Sequence, residues 1–274
     1  MKKKLLILTL AALIGTAAGH ARKGIVVAHY GSSNDETRAL TINKITTEIR
    51  EAAGNDIPVC EAYISPVVRK NMTKRGIESL SPVDAMLAMR ARGVDTIVVQ
   101  PSLIIDGGEM EELRRDVESV SPFFGSVVLG HPLCYSPADF EQVVNILSAE
   151  EPDGADAIIF VGHGNELPST ATYTQLDYML ADRGLTDRHV STIEGYPTAE
   201  TTVRQLRRSP QKIKTVKLVP FLLVCGNHTL TDIAGEYSDR MRAAGYEPRL
   251  LKRGLAELPA IRQIYTDRAI RLLQ

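Results

Sequence analysis

Two histidines and a glutamate stand where short apolar runs give way to glycine. His163 lies in Gly162-His163-Gly164-Asn165, directly after the run IIFV, and Glu194 follows residues 190–193 and precedes Gly195-Tyr196-Pro197. His228 closes Cys225-Gly226-Asn227-His228, after the run VKLVPFLLV. Two imidazoles and one carboxylate suit a borderline divalent ion such as Co²⁺, Ni²⁺, Fe²⁺ or Zn²⁺. Three protein ligands leave coordination positions open, which a metal that is to be handed on requires. The same groups can also act as proton acceptors. Taken singly, each residue also reads as an ordinary loop histidine or turn carboxylate. Their shared placement at strand ends, bracketed by glycine, raises the metal reading to equal standing.

Weaker candidates lie in the first half. His29, with Tyr30, Gly31, Ser32 and Ser33 behind it, is a candidate for the same cleft, as substrate contacts or as an anion-holding turn at a helix N-terminus. Glu109, with Glu111 and Glu112, follows Gly107-Gly108 and reads either as an acidic loop on a metal path or as the acidic start of a helix. His131 and His189 have no visible partners and read as structural. The sequence has no P-loop, GxGxxG, HExxH or GxSxG.

These residues must be positioned by strands and helices that alternate along the chain. Apolar runs at 24–29, 96–99, 126–129, 157–161 and 216–219 read as buried strands. Helical spacing occupies 35–53, 82–92, 110–120, 172–183 and 229–244. Continuous apolar strands alternating with helices imply parallel sheets covered on both faces, an α/β fold. Ligands in such sheets bind beyond the carboxyl ends of the strands.

The chain also reads as written twice. GIVVAHYGSSNDETR lies over AIIFVGHGNELPSTA, taken to pair His29 with His163, and Glu61-Ala62-Tyr63 lies over Glu194-Gly195-Tyr196. Gln100-Pro101-Ser102-Leu103 to Gly107 matches Val219-Pro220-Phe221-Leu222 to Gly226, which pairs Glu109 with His228. Three matches in order predict two similar lobes, each a parallel sheet flanked by helices, with a cleft between. The polar segment Glu150-Glu151-Pro152-Asp153-Gly154 divides them, giving residues 22–150 and 151–274.

The 274 residues are 44% apolar, enough for a sizeable core, and 24% charged with a net charge of −1. No clustered basic excess points to nucleic acid. Residues 1–21 stand apart: Lys2-Lys3-Lys4, an apolar run of about fourteen residues, then Gly19-His20-Ala21. That is the layout of a cleaved secretory signal, since a span needs roughly twenty apolar residues. A periplasmic location follows as an expectation. Removing it takes away three Lys and no acid, so 29 Lys+Arg face 33 Asp+Glu, a net −4. Cys60, Cys134 and Cys225 form no CxxC and no disulfide framework.

At these residues the chain resembles the anaerobic, sirohydrochlorin-type cobaltochelatases of the class II chelatase superfamily. The resemblance rests on IIFVGHGN, STIEGYPT, LVPFLLVCGNHTLTDIAGE and VVQPSLIIDGGEMEEL, and extends from about Gly24 to the C-terminus. It implies two parallel four-stranded sheets, a tetrapyrrole in the cleft, and metal held by His163, Glu194 and His228, with His163 doubling as proton acceptor. The expected activity is Co²⁺ insertion into sirohydrochlorin without a nucleotide, with a homo-oligomer left open. The alternatives are an iron or nickel chelatase of the same fold, an exported tetrapyrrole or haem carrier, or a two-lobed metal-delivery protein. Leu103 stands where some relatives carry a histidine, so no haem ligand is expected there.

Overall fold

The computed structural model describes residues 22–226 and 231–274. The leader and His228 therefore lie outside the described residues. In the first half the chain runs β1 (Arg22–His29), α1 (Asp35–Leu40), α2 (Ile42–Ala53), β2 (Val59–Tyr63), α3 (Pro66–Thr73), α4 (Pro82–Ala91), β3 (Val94–Ser102), α5 (Gly108–Val120), β4 (Ser126–Leu129) and α6 (Pro137–Ser148). The second half runs β5 (Ala157–Gly162), α7 (Ala171–Asp182), β6 (Arg188–Thr192), α8 (Ala199–Arg208), β7 (Thr215–Pro220) and β8 (Glu247–Leu250). A π-helical turn, Asp232–Tyr237, leads into Ser238–Ala243, and a C-terminal helix spans Pro259–Leu272.

All pairings are parallel, in the orders β2-β1-β3-β4 and β6-β5-β7-β8. Every residue of β5 and of β7 is buried, as strands covered on both faces must be. Helix starts are chemically marked. Ser65, Ser81 and Ser136 each precede a proline at the first helical position, and each hydroxyl accepts an amide of the first turn.

One apolar layer joins the lobes. It includes Ile25, Val27 and Val98 from the first sheet, Ile158, Phe160 and Val219 from the second, and the fully buried Tyr265. The C-terminal helix returns to the first lobe. Tyr265 donates its hydroxyl to Leu103 O at 2.7 Å, Arg262 pairs with Glu48 at 2.5 Å, and Arg268 pairs with Asp139 at 2.7 Å. By packing, the last helix thus straddles the division at residue 150 rather than belonging wholly to the second lobe. The connecting segment is itself tethered: buried Lys217 on β7 donates to Glu150 at 2.7 Å and Asp153 at 2.6 Å.

Backbone register corrects the internal alignment. Ile64 N donates to His29 O at 2.8 Å and Ser65 N to Tyr30 O at 3.2 Å; in the second lobe Ile193 N donates to Gly162 O at 3.0 Å and Glu194 N to His163 O at 2.8 Å. Tyr30, not His29, is therefore the counterpart of His163, and Ser65, not Glu61, that of Glu194. Further along, Leu133 N donates to Leu103 O at 2.8 Å and Leu255 N to Leu222 O at 2.7 Å. The match of Gln100-Pro101 with Val219-Pro220 holds in that register.

His29 is not a substrate contact. It is the last residue of β1, 0% exposed, with Nδ1 2.5 Å from Ser102 Oγ and Nε2 2.9 Å from Thr46 Oγ1. Burial pushes its pKa down to about 4, against the opposing charge of Glu61. The unfolded imidazole takes up its proton near 6.5, where the folded one still refuses it. Between pH 6.5 and about 4 the unfolded chain thus binds more protons, so stability falls on acidification, by about 3 kcal/mol once below pH 4. Urea midpoints measured across that window should show the loss, and His29→Gln should flatten the curve there.

Candidate metal centre

Local backbone chemistry puts His163 and Glu194 side by side. β5 and β6 are neighbours, and both side chains project just past their carboxyl ends, exposed. The loops carrying them are locked together by the Glu194 N–H donating to His163 O. Gly164, at φ +80°, leaves no room for a side chain: a Cβ there would stand 1.5 Å from Glu194 O. Gly195, at φ +82°, lies as close to the other loop, its would-be Cβ 2.5 Å from Asn165 O. The β6 turn closes through Thr192 N to Pro197 O at 2.8 Å, around a cis Tyr196-Pro197 bond.

The imidazole is held by one backbone carbonyl. His163 Nδ1 lies 3.1 Å from Gly164 O. A carbonyl only accepts, so the bond requires the proton on Nδ1 and leaves the Nε2 electron pair to face outward. A backbone carbonyl fixing the tautomer is how metal-binding histidines are commonly oriented. β7, on the other side of β5, continues through Phe221, whose amide donates to Val161 O at 2.8 Å, toward Gly226. The third predicted ligand, His228, falls outside the described residues. Among the described residues no group of three His, Cys, Asp or Glu side chains forms a metal site.

The first lobe reaches the His163 loop. A Cβ on Gly107 would lie 3.4 Å from Asn165 Nδ2 and 3.5 Å from Ser169 Oγ, and one on Gly108 would lie 3.8 Å from Leu167. Glu109, exposed in the first turn of α5, thereby follows two glycines that touch the His163 loop. Its charge helps raise the phenol of Tyr173, which burial chiefly pushes up to about 12. Tyr30 is 49% exposed at the first-lobe position equivalent to His163. Ser32 is engaged locally: its hydroxyl accepts from Asn34 N at 3.3 Å and its carbonyl from Arg38 at 2.9 Å. The anion-holding reading of this turn does not stand, because Asn34 caps α1 and Asp35 and Glu36 already occupy its first turn.

The residue types gave no sign of several neighbours. Asn165 accepts from Leu167 N at 2.9 Å and donates to Ser169, shaping the loop behind His163. Beside Glu194 the residues Thr192, Gly195, Glu200, Asp232, Glu236 and Arg240 line a cavity of about 170 Å³. Asp232 and Glu236 stand four residues apart on the π-helical turn. His189 is buried near Asp177, at 3.7 Å, and His131 stacks on Tyr135 with centroids 3.7 Å apart.

Paired four-stranded parallel sheets sharing an inner layer of helices, with a histidine and a glutamate at the carboxyl rim of the second, define a bilobal chelatase fold. The fold is similar to that of SirB from Bacillus subtilis with Fe³⁺, at a TM-score of 0.65 and 15% identity, covering 92% of this chain and 96% of that one. A SirB structure in complex with cobalt, also from Bacillus subtilis, gives 0.63 and 13%, covering 92% and 95%. The chain belongs to the cobalt chelatase (CbiK) family, whose model matches residues 23–273. It is 30% identical over 251 residues to the sirohydrochlorin cobaltochelatase of Salmonella typhimurium, covering 89% of this chain and 94% of that one. To the sirohydrochlorin cobaltochelatase CbiKC of Nitratidesulfovibrio vulgaris it is 29% identical over 255 residues, covering 90% and 89%.

Proposed function

We propose that this protein is a sirohydrochlorin cobaltochelatase that works after export, and that His163, Glu194 and His228 hold the Co²⁺ before it enters the ring. The observation that carries the site is the paired His163 and Glu194 at one rim, with Nε2 left free by the Nδ1 bond to Gly164 O. Family membership supplies the reaction and the substrate class.

The chemistry balances on these groups. A divalent cation replaces two pyrrole protons, so the ring nitrogens exchange two positive charges for two. When Co²⁺ leaves His163, the freed Nε2 electron pair accepts one of those protons, and the Glu194 carboxylate or solvent takes the other. Uptake of metal and release of protons are thereby coupled at one place. Glu109 and Tyr30, from the first lobe, face the ring as substrate contacts in this reading. Choice among Co²⁺, Fe²⁺ and Ni²⁺ rests on supply and geometry, because a His/Glu site ranks Cu²⁺ and Zn²⁺ above Co²⁺ by affinity. Export rests on the basic start and apolar run of residues 1–21.

One experiment tests both parts. Full-length protein made in a bacterium is recovered from the periplasm, weighed by mass spectrometry, and mixed anaerobically with sirohydrochlorin and Co²⁺. A chain beginning at Arg22 that drives a catalytic shift of the tetrapyrrole bands is the expected result. Binding spectra without metallation would mean a carrier, and an uncleaved cytoplasmic chain would overturn export.

A further inference from the structure

Tyr173, near the start of α7, is 3% exposed and lies under the loop that carries His163. Its hydroxyl accepts the Gly164 N–H at 3.4 Å. Its ring edge fills the space at Gly162, where a Cβ would stand 2.2 Å from Tyr173 Cε1. The two glycines flanking His163 are thus both seated on one side chain. The same ring meets Phe221 edge-on, with centroids 6.2 Å apart and planes at 80°, and Phe221 lies on the segment that leads in sequence to His228. From the other lobe, the charge of Glu109 is felt at the phenol.

We infer that Tyr173 is a positioning residue of the metal centre: it holds the 162–164 backbone so that His163 Nδ1 meets Gly164 O and Nε2 points to the metal. The physical reason is the peptide between His163 and Gly164. Its N–H is buried, and Tyr173 is the acceptor it has among the described residues. With that peptide fixed and Gly164 at φ +80°, the Gly164 carbonyl is set where the imidazole can donate to it. A ring without the hydroxyl keeps the packing on Gly162 and Phe221 but leaves the peptide free to rotate. Buried amides left without an acceptor reorganise to find one. The imidazole would then lose its fixed tautomer and direction, the effect that loss of an outer-shell partner has on metal ligands.

This inference rests on His163 being a ligand, so the test carries a control for that. In the exported protein, Co²⁺ binding is read from its visible absorption for wild type, Tyr173→Phe and His163→Ala, alongside thermal unfolding and insertion kinetics. Tyr173→Phe should weaken Co²⁺ about tenfold, lower kcat with KM for sirohydrochlorin unchanged, and leave Tm nearly where it was. A lowered Tm with unchanged Co²⁺ affinity would show a merely structural tyrosine and overturn the inference. Should His163→Ala bind Co²⁺ as wild type does, the ligand reading itself fails, a different outcome. Amide exchange in the unaltered protein gives a reading that needs no variant. Gly164 N–H should exchange slowly, and exchange at the rate of an open loop would overturn the positioning role.

Discussion

Gly164→Ala should dismantle the metal centre and destabilise the protein by roughly 3 kcal/mol or more. Two costs add at this position. The backbone sits at φ +80°, where a side chain costs about 1–2 kcal/mol. The new Cβ would also stand 1.5 Å from Glu194 O, 2.7 Å from Glu194 C and 2.8 Å from Thr192 Cβ. Two of those atoms are backbone, so no rotamer change relieves the contact. Relief requires the loops to part, which breaks the Glu194 N–H bond to His163 O and separates the two proposed ligands. Gly184→Ala is the matched control. It has φ +76° but nothing within 4 Å of a new Cβ, so only the conformational cost of about 1–2 kcal/mol applies. Urea unfolding of both variants, with Co²⁺ insertion rates, measures the difference. Equal losses in the two would mean that the loop-to-loop contact contributes nothing.

The parts of the fold legible in the sequence are those buried on both faces. β1, β3, β5 and β7 are central strands whose apolar runs continue without alternation, and β4 is a short edge strand that kept the same pattern. β2 (VCEAY) and β8 (EPRL) are edge strands with mixed faces and gave no run to read. β6 (RHVST) showed only its last residues. The helical stretch at 35–53 is two helices, because Thr41 leaves helical geometry at φ −126° and ψ −97°. α3 and α6 begin at Ser-Pro pairs, where proline reads as a breaker yet serves as the first helical residue.

The candidate site was legible for a different reason. Glycines on both sides of His163 and after Glu194 mark backbone that must turn sharply and approach another chain segment closely, and Gly164 and Gly195 do so. The same reasoning misplaced His29 by one residue. At a strand end one position separates a side chain enclosed by the sheet from one standing in the loop, so the slip moved a fully buried histidine into the cleft. Tyr173 escaped notice because its contacts run between α7 and the end of β5, which no local pattern encodes.

His163→Ala should lower Co²⁺ insertion by about 10³-fold or more while unfolding stays cooperative within about 1 kcal/mol of wild type. The separation of effects follows from placement. The imidazole is exposed, and its one recorded bond is to the carbonyl of the next residue, so little packing is lost with it. In the proposed mechanism its chemical roles are two, an electron pair for Co²⁺ and then a seat for a pyrrole proton, and Glu194 is the described neighbour that shares both. Glu194→Gln probes them apart. The amide keeps the shape and an oxygen donor but loses the charge that attracts a dication and accepts a proton, so affinity for Co²⁺ should fall with the rate. His163→Gln should leave a weak oxygen or nitrogen contact without a base, so insertion should stay low even at saturating Co²⁺. Rates against Co²⁺ concentration for the three variants, with sirohydrochlorin held constant, distinguish ligand from proton acceptor. A His163→Gln rate restored to wild type by excess Co²⁺ would assign the proton to Glu194 instead. Full activity in His163→Ala would move the metal centre away from this rim.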